Sequence, residues 1–249
     1  MIVLKTSREL ALMREACRIS AGALKAAGDA VQPGVTTAEI DKIAYDYIKK
    51  HGANPSFLHL YDFPATACIS INDEVIHGIP SKSRVIKESD IVSIDLGAEL
   101  DGYNGDNAAT FAAGKISPEA QRLCDTTRDS LYEGIKVAVA GGRLGDIGWA
   151  VQNYCESRGY GVVRSFTGHG IGRKVHEDPS VPNYGTPGRG VRLLPGMTIA
   201  IEPMINQGVP GVKTMSDGWT VKTADGKLSA HFEHTIAITQ DGPVILTVL

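Results

Sequence analysis

The stretch Ile91-Val92-Ser93-Ile94-Asp95 decides the fold, because a stretch of the same character, Thr198-Ile199-Ala200-Ile201-Glu202, follows it at an offset of 107 residues. Each is a short β-type run that ends in a carboxylate. The same offset relates two helix-like segments, 40–52 and 147–159, and both of them stop at a glycine. The pattern therefore indicates two copies of one unit.

Two further echoes carry side chains that bind metals. His77-Gly78-Ile79 is repeated as His169-Gly170-Ile171, and Asp106 and Glu233 each head a run in which apolar residues alternate. Loops of unequal length would explain why the spacings of these pairs differ from the main offset. Each half thus supplies a histidine and two strand-borne carboxylates, an array that suits a pair of divalent metal ions.

The repeat also bears on the domain organisation of the 249 residues. We expect a single domain over residues 1–249, with repeat halves at about 6–112 and 117–249. Either half folded alone would expose half of a shared site, which argues against two independent domains.

Helix signals precede strand signals in each half. Capping boxes at Thr6/Glu9 and Thr36/Glu39 predict two helix starts, and Ser117 followed by a proline predicts a third. Strand-like runs then follow at 66–71, 91–96, 107–111, 161–166, 197–201, 232–239 and 244–248. This segregation predicts an α+β fold with an antiparallel sheet flanked by helix pairs, rather than a doubly wound fold.

Composition and charge exclude several classes of protein. The hydrophobic content of 43% and the charged content of 21% are ordinary for a soluble globular enzyme. A net charge of −3 gives no reason to expect nucleic acid or an anionic membrane as a partner. No apolar run approaches the ~18 residues of a membrane span, and the N-terminus lacks the apolar core of a signal peptide. The four cysteines lack a CxxC spacing, which predicts buried thiols in a reducing cytoplasm.

The carboxylates stand in stretches without cations. No Lys or Arg occurs within 91–111, 198–207 or 228–240. Two bare carboxylates ~4 Å apart repel by about 4 kcal/mol at an effective dielectric constant of 20. A buried salt-bridge network is the alternative, and it needs cations from distant parts of the chain. Two divalent ions would balance four carboxylates, and mixed oxygen and nitrogen ligands suit Mn, Fe(II), Co or Zn without choosing among them.

The remaining histidines divide by strand parity. His231 shares a face with Glu233, and its role stays open. His234 points to the opposite face, which predicts a core or outer-layer residue. The pair His169 and His176 does not match the HExxH zinc signature.

Five runs carry a resemblance to a known family. They are Ser93-Ile94-Asp95-Leu96, Gly105-Asp106, Thr167-Gly168-His169-Gly170-Ile171-Gly172, Met197-Thr198-Ile199-Ala200-Ile201-Glu202-Pro203 and Asp217-Gly218-Trp219-Thr220-Val221-Lys222-Thr223. These runs closely resemble those of type I methionine aminopeptidases, and the match covers nearly the whole chain. The resemblance implies the pita-bread α+β fold, which agrees with the internal repeat.

The resemblance also implies two divalent metal ions and a ligand set. Asp106 and Glu233 would bridge the ions, Asp95 would complete the shell of one, and His169 with Glu202 would complete the shell of the other. The chain would remove the N-terminal methionine when the second residue is small.

The resemblance further implies three catalytic roles and two contacts with substrate. Glu202 would act as general base and then as general acid. His176 would donate a hydrogen bond to the developing oxyanion, and His77 would orient the scissile amide, so both histidines would contact substrate rather than metal.

The methionine pocket departs in part from the family pattern. Cys68 and Trp219 occupy matching places. The other expected wall residues are Phe57, Leu60, Phe63 and Val175. The first three lie in a stretch where the family usually carries Tyr or Cys. Val175 stands before His176, where the family frequently carries Phe. The pocket stays apolar, so methionine still fits, but its shape is left open.

Two alternatives remain open. One is an Xaa-Pro dipeptidase or aminopeptidase of the same fold, which the absence of an extra N-terminal domain and the run at 217–220 disfavour. The other is a non-catalytic binding module, which would require lost ligands. The expected partners of the aminopeptidase are the N-termini of nascent polypeptides near the ribosome. We expect the chain to be a monomer in the cytoplasm.

Overall fold

A computed structural model describes all 249 residues and resolves four helices and fifteen strands. The helices are α1 (Ser7–Asp29), α2 (Thr37–Lys50), α3 (Pro118–Lys136) and α4 (Leu144–Glu156). The strands of the first half are β1 (Asn54–Pro55), β2 (Ala67–Ile71), β3 (Glu74–Ile76), β4 (Ile91–Leu100) and β5 (Tyr103–Ala112). Those of the second half are β6 (Gly161–Val162), β7 (Gly168–Gly170), β8 (Glu177–Val181), β9 (Thr198–Ile201), β10 (Met204–Asn206), β11 (Val212–Thr214), β12 (Val221–Thr223), β13 (Ser229–His231), β14 (Glu233–Thr239) and β15 (Gly242–Ile245).

The helices begin where their capping residues predict. Thr6 and Thr36 each accept a hydrogen bond from the backbone N–H three residues on, and the glutamate there bonds back to the threonine N–H. At the start of α3, Ser117 Oγ accepts a hydrogen bond from the N–H of Ala120, with Pro118 at the first helical position. These interactions satisfy N–H groups that have no partner within the helix. None of the helices is long and apolar enough to cross a membrane.

The principal sheet has nine strands, and every strand pair in the molecule is antiparallel. Its main path runs β1-β4-β5-β14-β9-β7-β8, with β2 beside β4 and β15 beside β14. Two smaller sheets, β13-β10-β6 and β11-β12-β3, complete the strand set. The predicted α+β fold with an antiparallel sheet is confirmed.

Strand boundaries were predicted less well than strand positions. Asp106 does not head a strand, as its run suggests, but lies within β5, because the ladder with β4 already begins at the pair Leu100 and Tyr103 beside the turn. The run at 161–166 forms a strand only over Gly161–Val162. Seven strands of three to five residues were not predicted, since runs that short carry little periodicity.

The two helix pairs cover the same face of the principal sheet in its two halves. Ile94 and Leu96 of β4 belong to a core cluster with residues of α1 and α2. Ile199 and Ile201 of β9 belong to a second cluster with residues of α3 and α4. Because side chains alternate along a strand, Asp95 emerges on the face opposite the helices. The fold therefore buries its apolar side chains under the helices and leaves the other face for polar groups.

Candidate metal centre

The five predicted metal ligands come from five consecutive strands of the principal sheet. Along the path β4-β5-β14-β9-β7 these residues are Asp95, Asp106, Glu233, Glu202 and His169. Glu202 follows directly after the last residue of β9, and the other four lie within their strands. Residues 11 to 138 positions apart in the chain thus converge on one face of the sheet.

Two glycines allow β7 to bring its histidine into this row. A Cβ atom on Gly168 would collide with the carbonyl oxygen of Ala200, and one on Gly170 would collide with that of Asp178. The strand can therefore lie between its neighbours only with glycine on either side of His169. This close backbone approach explains the Gly-His-Gly spacing.

The distances within the cluster suit a metal site. His169 Nε2 lies 3.7 Å from Asp106 Oδ2 and 3.6 Å from Glu202 Oε1. Ligand atoms of Asp106, His169 and Glu233 all lie within 4.8 Å of one another. Groups so spaced surround a volume that a single cation can enter.

The electrostatics of the cluster call for cations. The salt bridges of the four carboxylates involve only histidines, so the alternative of a buried network with Lys or Arg is not supported. Buried oxygens of Asp95, Asp106 and Glu233 lack any hydrogen-bond partner. Such orphaned oxygens are unfavourable unless a cation binds them.

Burial and mutual repulsion also act on the protonation of these groups. Burial raises the pKa of Asp95 to about 7. Burial, with repulsion from the neighbouring carboxylates, raises the pKa of Asp106, Glu202 and Glu233 well above the usual range. Carboxylates that resist ionisation for these reasons gain most from a divalent cation.

His169 is prepared as a nitrogen ligand. Burial, reinforced by nearby His176, lowers its pKa to about 4, so the imidazole is neutral. Its Nδ1 lies 3.0 Å from the carbonyl oxygen of Gly170, which can only accept, so Nδ1 carries the proton. The lone pair on Nε2 therefore faces the carboxylates, as in many histidines that bind metals.

The two histidines predicted to contact substrate lie beside this cluster. The ring of His176 packs edge-on against that of His169, with centroids 4.5 Å apart, and is stacked against Tyr61 at 5.7 Å. His77 adopts a left-handed backbone conformation with φ 59° and lies between the rings of Phe166 and Trp219. Burial lowers the pKa of His176, and burial with repulsion from His176 lowers that of His77 to about 4. Both imidazoles are therefore neutral hydrogen-bonding groups.

A cavity of about 270 Å³ opens directly onto the cluster. Its walls include all but one of the residues predicted for the methionine pocket: Phe57, Leu60, Phe63, Cys68 and Trp219. Phe63 and Trp219 meet edge to face with centroids 5.1 Å apart. Burial raises the pKa of the Cys68 thiol well above its usual value, so the thiol stays protonated.

The structure adds wall residues to those predicted. Val175 packs in one apolar cluster with Phe57, Phe63 and Cys68 and lines a neighbouring groove. Tyr61, Ile76, Phe166 and Thr167 line the cavity and were not predicted. Tyr61 lies in a turn with a left-handed backbone, for which the sequence offers no Gly or Asn signal.

The histidine whose role the sequence left open lies at the site. His231 is 1% exposed, and its Nε2 is 3.9 Å from Glu202 Oε2. His234, by contrast, faces Thr247 and Tyr132, as the parity argument predicts. All four cysteines are buried and free, as predicted for buried thiols.

Comparison with known proteins identifies the class. The profile of metallopeptidase family M24 matches residues 11–240, and the chain belongs to this family. It is therefore a metallopeptidase. Among its relatives, a methionine aminopeptidase of Clostridium acetobutylicum is 55% identical over 247 residues, which is 99% of both chains. The crystal structure of a methionine aminopeptidase from Thermotoga maritima is 43% identical, with a TM-score of 0.99 and full coverage of both chains.

A second group of relatives shares the fold at lower similarity. A prolidase from Pyrococcus furiosus is 25% identical, with a TM-score of 0.82 over 99% of this chain and 66% of the prolidase. The likeness to both groups bears out the predicted pita-bread fold. The much higher identity to the aminopeptidases favours their activity over that of prolidase.

Proposed function

We propose that this chain removes the N-terminal methionine from peptides and nascent polypeptides whose second residue is small. The observation that carries the proposal is the direct opening of a cavity with an apolar wall onto a cluster of five candidate metal-binding side chains. A cavity of this kind holds one apolar side chain and places the adjoining peptide bond at the cluster. Identity to the Clostridium methionine aminopeptidase supports the assignment.

Two divalent cations fit the residues present. Asp106 and Glu233 lie on the neighbouring strands β5 and β14 and would be shared, as the family resemblance implies; Asp95 would complete one shell, and His169 with Glu202 the other. Oxygen ligands with one imidazole suit Co, Mn, Fe(II) or Zn. Divalent cations held there polarise a carbonyl group and acidify a water molecule.

The chain's own residues perform the proton transfers and the orientation of substrate. Glu202 accepts the proton of the attacking water and delivers it to the leaving amine, for which its raised pKa is suited. His176 donates a hydrogen bond to the carbonyl oxygen as negative charge develops on it. His77 hydrogen-bonds to the scissile amide and fixes its orientation.

The cavity suits an unbranched thioether side chain. Phe63 and Trp219 present aromatic rings and Cys68 presents a protonated thiol, so this part of the wall, away from the carboxylate cluster, is apolar. Sulfur makes favourable contacts with aromatic rings, which favours methionine over an aliphatic side chain of equal length.

A panel of four peptides tests this function. We expect efficient release of methionine from Met-Ala-Ser, little release from Met-Arg-Ser, a modest loss with norleucine in place of methionine, and no cleavage of Ala-Pro. Norleucine has the same length and loses only the sulfur–aromatic contact, which is worth about 0.3–1.5 kcal/mol. Equal cleavage of Met-Ala-Ser and Met-Arg-Ser would contradict the size rule. Preference for Ala-Pro would favour the prolidase activity that the shared fold permits.

The proposal extends to partner and assembly. We expect the chain to act as a monomer on nascent polypeptides near the ribosome, because its site is complete within one chain. Sedimentation of the metal-loaded protein, alone and with translating ribosomes, tests both points.

A further inference from the structure

His231 has a buried ring nitrogen without a hydrogen-bond partner. Its backbone N–H donates to Thr110 Oγ1 at 3.0 Å, and its carbonyl accepts from the same hydroxyl at 2.9 Å. Its Nε2 makes no hydrogen bond, although the side chain is 1% exposed. An unsatisfied buried nitrogen lowers the stability of the folded protein, so the presence of this one calls for a functional explanation.

The nearest charged group to this nitrogen is the carboxylate of Glu202. His231 Nε2 lies 3.9 Å from Glu202 Oε2, while the other oxygen, Oε1, lies 3.6 Å from His169 Nε2. The carboxylate thus lies between two imidazoles and presents one oxygen to each. With its proton on Nε2, the imidazole of His231 can donate towards this carboxylate oxygen. A closer approach of about 1 Å would complete a hydrogen bond.

The backbone on both sides of this contact is fixed. Strand β13 pairs with β10 so that His231 lies opposite Met204, two residues after Glu202. The side-chain amide of Asn183 donates to the carbonyl oxygen of Glu202 at 2.9 Å. With the main chain held from two directions, the orientation of the Glu202 carboxylate is the remaining degree of freedom.

We infer that His231 is a positioning residue for Glu202: its Nε2–H holds Oε2, which leaves Oε1 turned towards His169 and the metal centre. The inference rests on the proposed function, in which Glu202 both binds a cation and carries a proton. One oxygen of the carboxylate then faces the metal centre, while the other accepts a hydrogen bond from His231. Without the donor, the carboxylate rotates among orientations of which only some are productive.

Three variants separate this role from a packing role. His231→Leu removes the donor at similar volume, and His231→Gln retains an N–H donor at similar reach. His234→Gln is the matched control, because that histidine lies on the next strand and bonds to Thr247 and Tyr132. For Met-Ala-Ser, we expect His231→Leu to lower kcat about 10- to 100-fold with KM little changed, the range typical of a lost partner of a metal ligand. His231→Gln should recover most of kcat, and His234→Gln should match the parent.

A second measurement does not depend on activity. In calorimetric titration of chelator-treated protein with Mn(II), we expect His231→Leu to bind one of two ions about 10-fold more weakly and His231→Gln to match the parent. Equal losses in the Leu and Gln variants would overturn the inference. Complete loss of one ion in both variants would also overturn it, because His231 would then be a ligand. A changed preference for the second residue of the substrate at unchanged kcat would make His231 a wall residue of the cavity instead.

The outcomes also distinguish this inference from the proposed function. If the parent protein fails to cleave methionyl peptides, the proposed function fails, while the calorimetric contrast between the Leu and Gln variants still decides the role of His231. If His231→Leu does not fold, as judged by circular dichroism, His231→Asn replaces it with the same expectations. The side chain of asparagine is one methylene shorter than that of glutamine, so its amide does not reach Glu202. This variant removes the donor without adding an apolar group.

Discussion

Asp95 and Glu233 lie across from the same residue, Ala108, on opposite sides of strand β5. Asp106 lies two residues before Ala108 on that strand and therefore on the same face. The antiparallel register thus places Asp106 beside two carboxylates from different strands. In the two-cation site proposed above, Asp106 would therefore be a shared ligand.

The first prediction follows from that central place. Asp106→Asn and Glu233→Gln should each weaken both metal sites together, whereas Asp95→Asn should weaken one. Calorimetric titration of chelator-treated variants with Mn(II) or Co(II) measures the two sites separately. Two undisturbed sites in Glu233→Gln would contradict the shared ligand.

The second prediction concerns removal of the metal. Chelator-treated protein should lose peptidase activity, and Mn, Co or Fe(II) should restore it, because the carboxylate cluster lacks any Lys or Arg partner. Turnover of Met-Ala-Ser before and after addition of each ion gives the result, with circular dichroism as the control for folding. Full activity in metal-free protein would make the cluster structural.

The third prediction is a dependence of stability on pH in metal-free protein. Burial raises the pKa of Asp95 from 3.8 to about 7, so between these values the folded state binds more protons than the unfolded state. The contribution of Asp95 to the free energy of unfolding is therefore fully present below about pH 4 and is lost as the pH rises through 7. The shift corresponds to at most about 4 kcal/mol of unfolding free energy.

Urea denaturation of chelator-treated protein at pH 5 and pH 8 measures this effect. The free energy of unfolding should fall between these pH values, and by less in Asp95→Asn, which has no carboxyl group to ionise. A fall of equal size in parent and variant would assign the dependence to other groups. Bound Mn(II) should remove the fall, because the cation takes the place of the protons.

The sequence predicted the features that local rules determine. Capping boxes at Thr6 and Thr36 gave helix starts that the structure confirms, since the bonds they make lie within four residues. The offset between Asp95 and Glu202 indicated the repeat. Because each copy of the strand buries its apolar face, both carboxylates must lie on the opposite face of the sheet. The five candidate ligands were found in this way, together with the resemblance to a family.

The features that the sequence missed depend on distant contacts. The approach of His231 to Glu202 depends on the pairing of β10 with β13, strands of three residues each, which no period reveals. Tyr61 reaches the cavity only through a left-handed turn with no glycine. Val175 is expected on the wall because the resembled family often carries Phe there, and the structure packs its side chain against Phe57, Phe63 and Cys68, which are distant in sequence.

The last prediction concerns His176, because it separates a ligand from a catalyst. Its ring packs edge-on against His169 and is stacked against Tyr61, so it is held beside the row of candidate ligands and lines the cavity. His176→Ala should keep two-metal binding and lower kcat about 10²–10³-fold, or about 2.7–4 kcal/mol, the usual cost of one lost oxyanion donor. His176→Gln, which retains an N–H donor, should recover part of that loss. Calorimetry and kinetics on the same preparations decide the point: a variant that binds only one ion, yet turns over normally once that ion is supplied in excess, would make His176 a ligand.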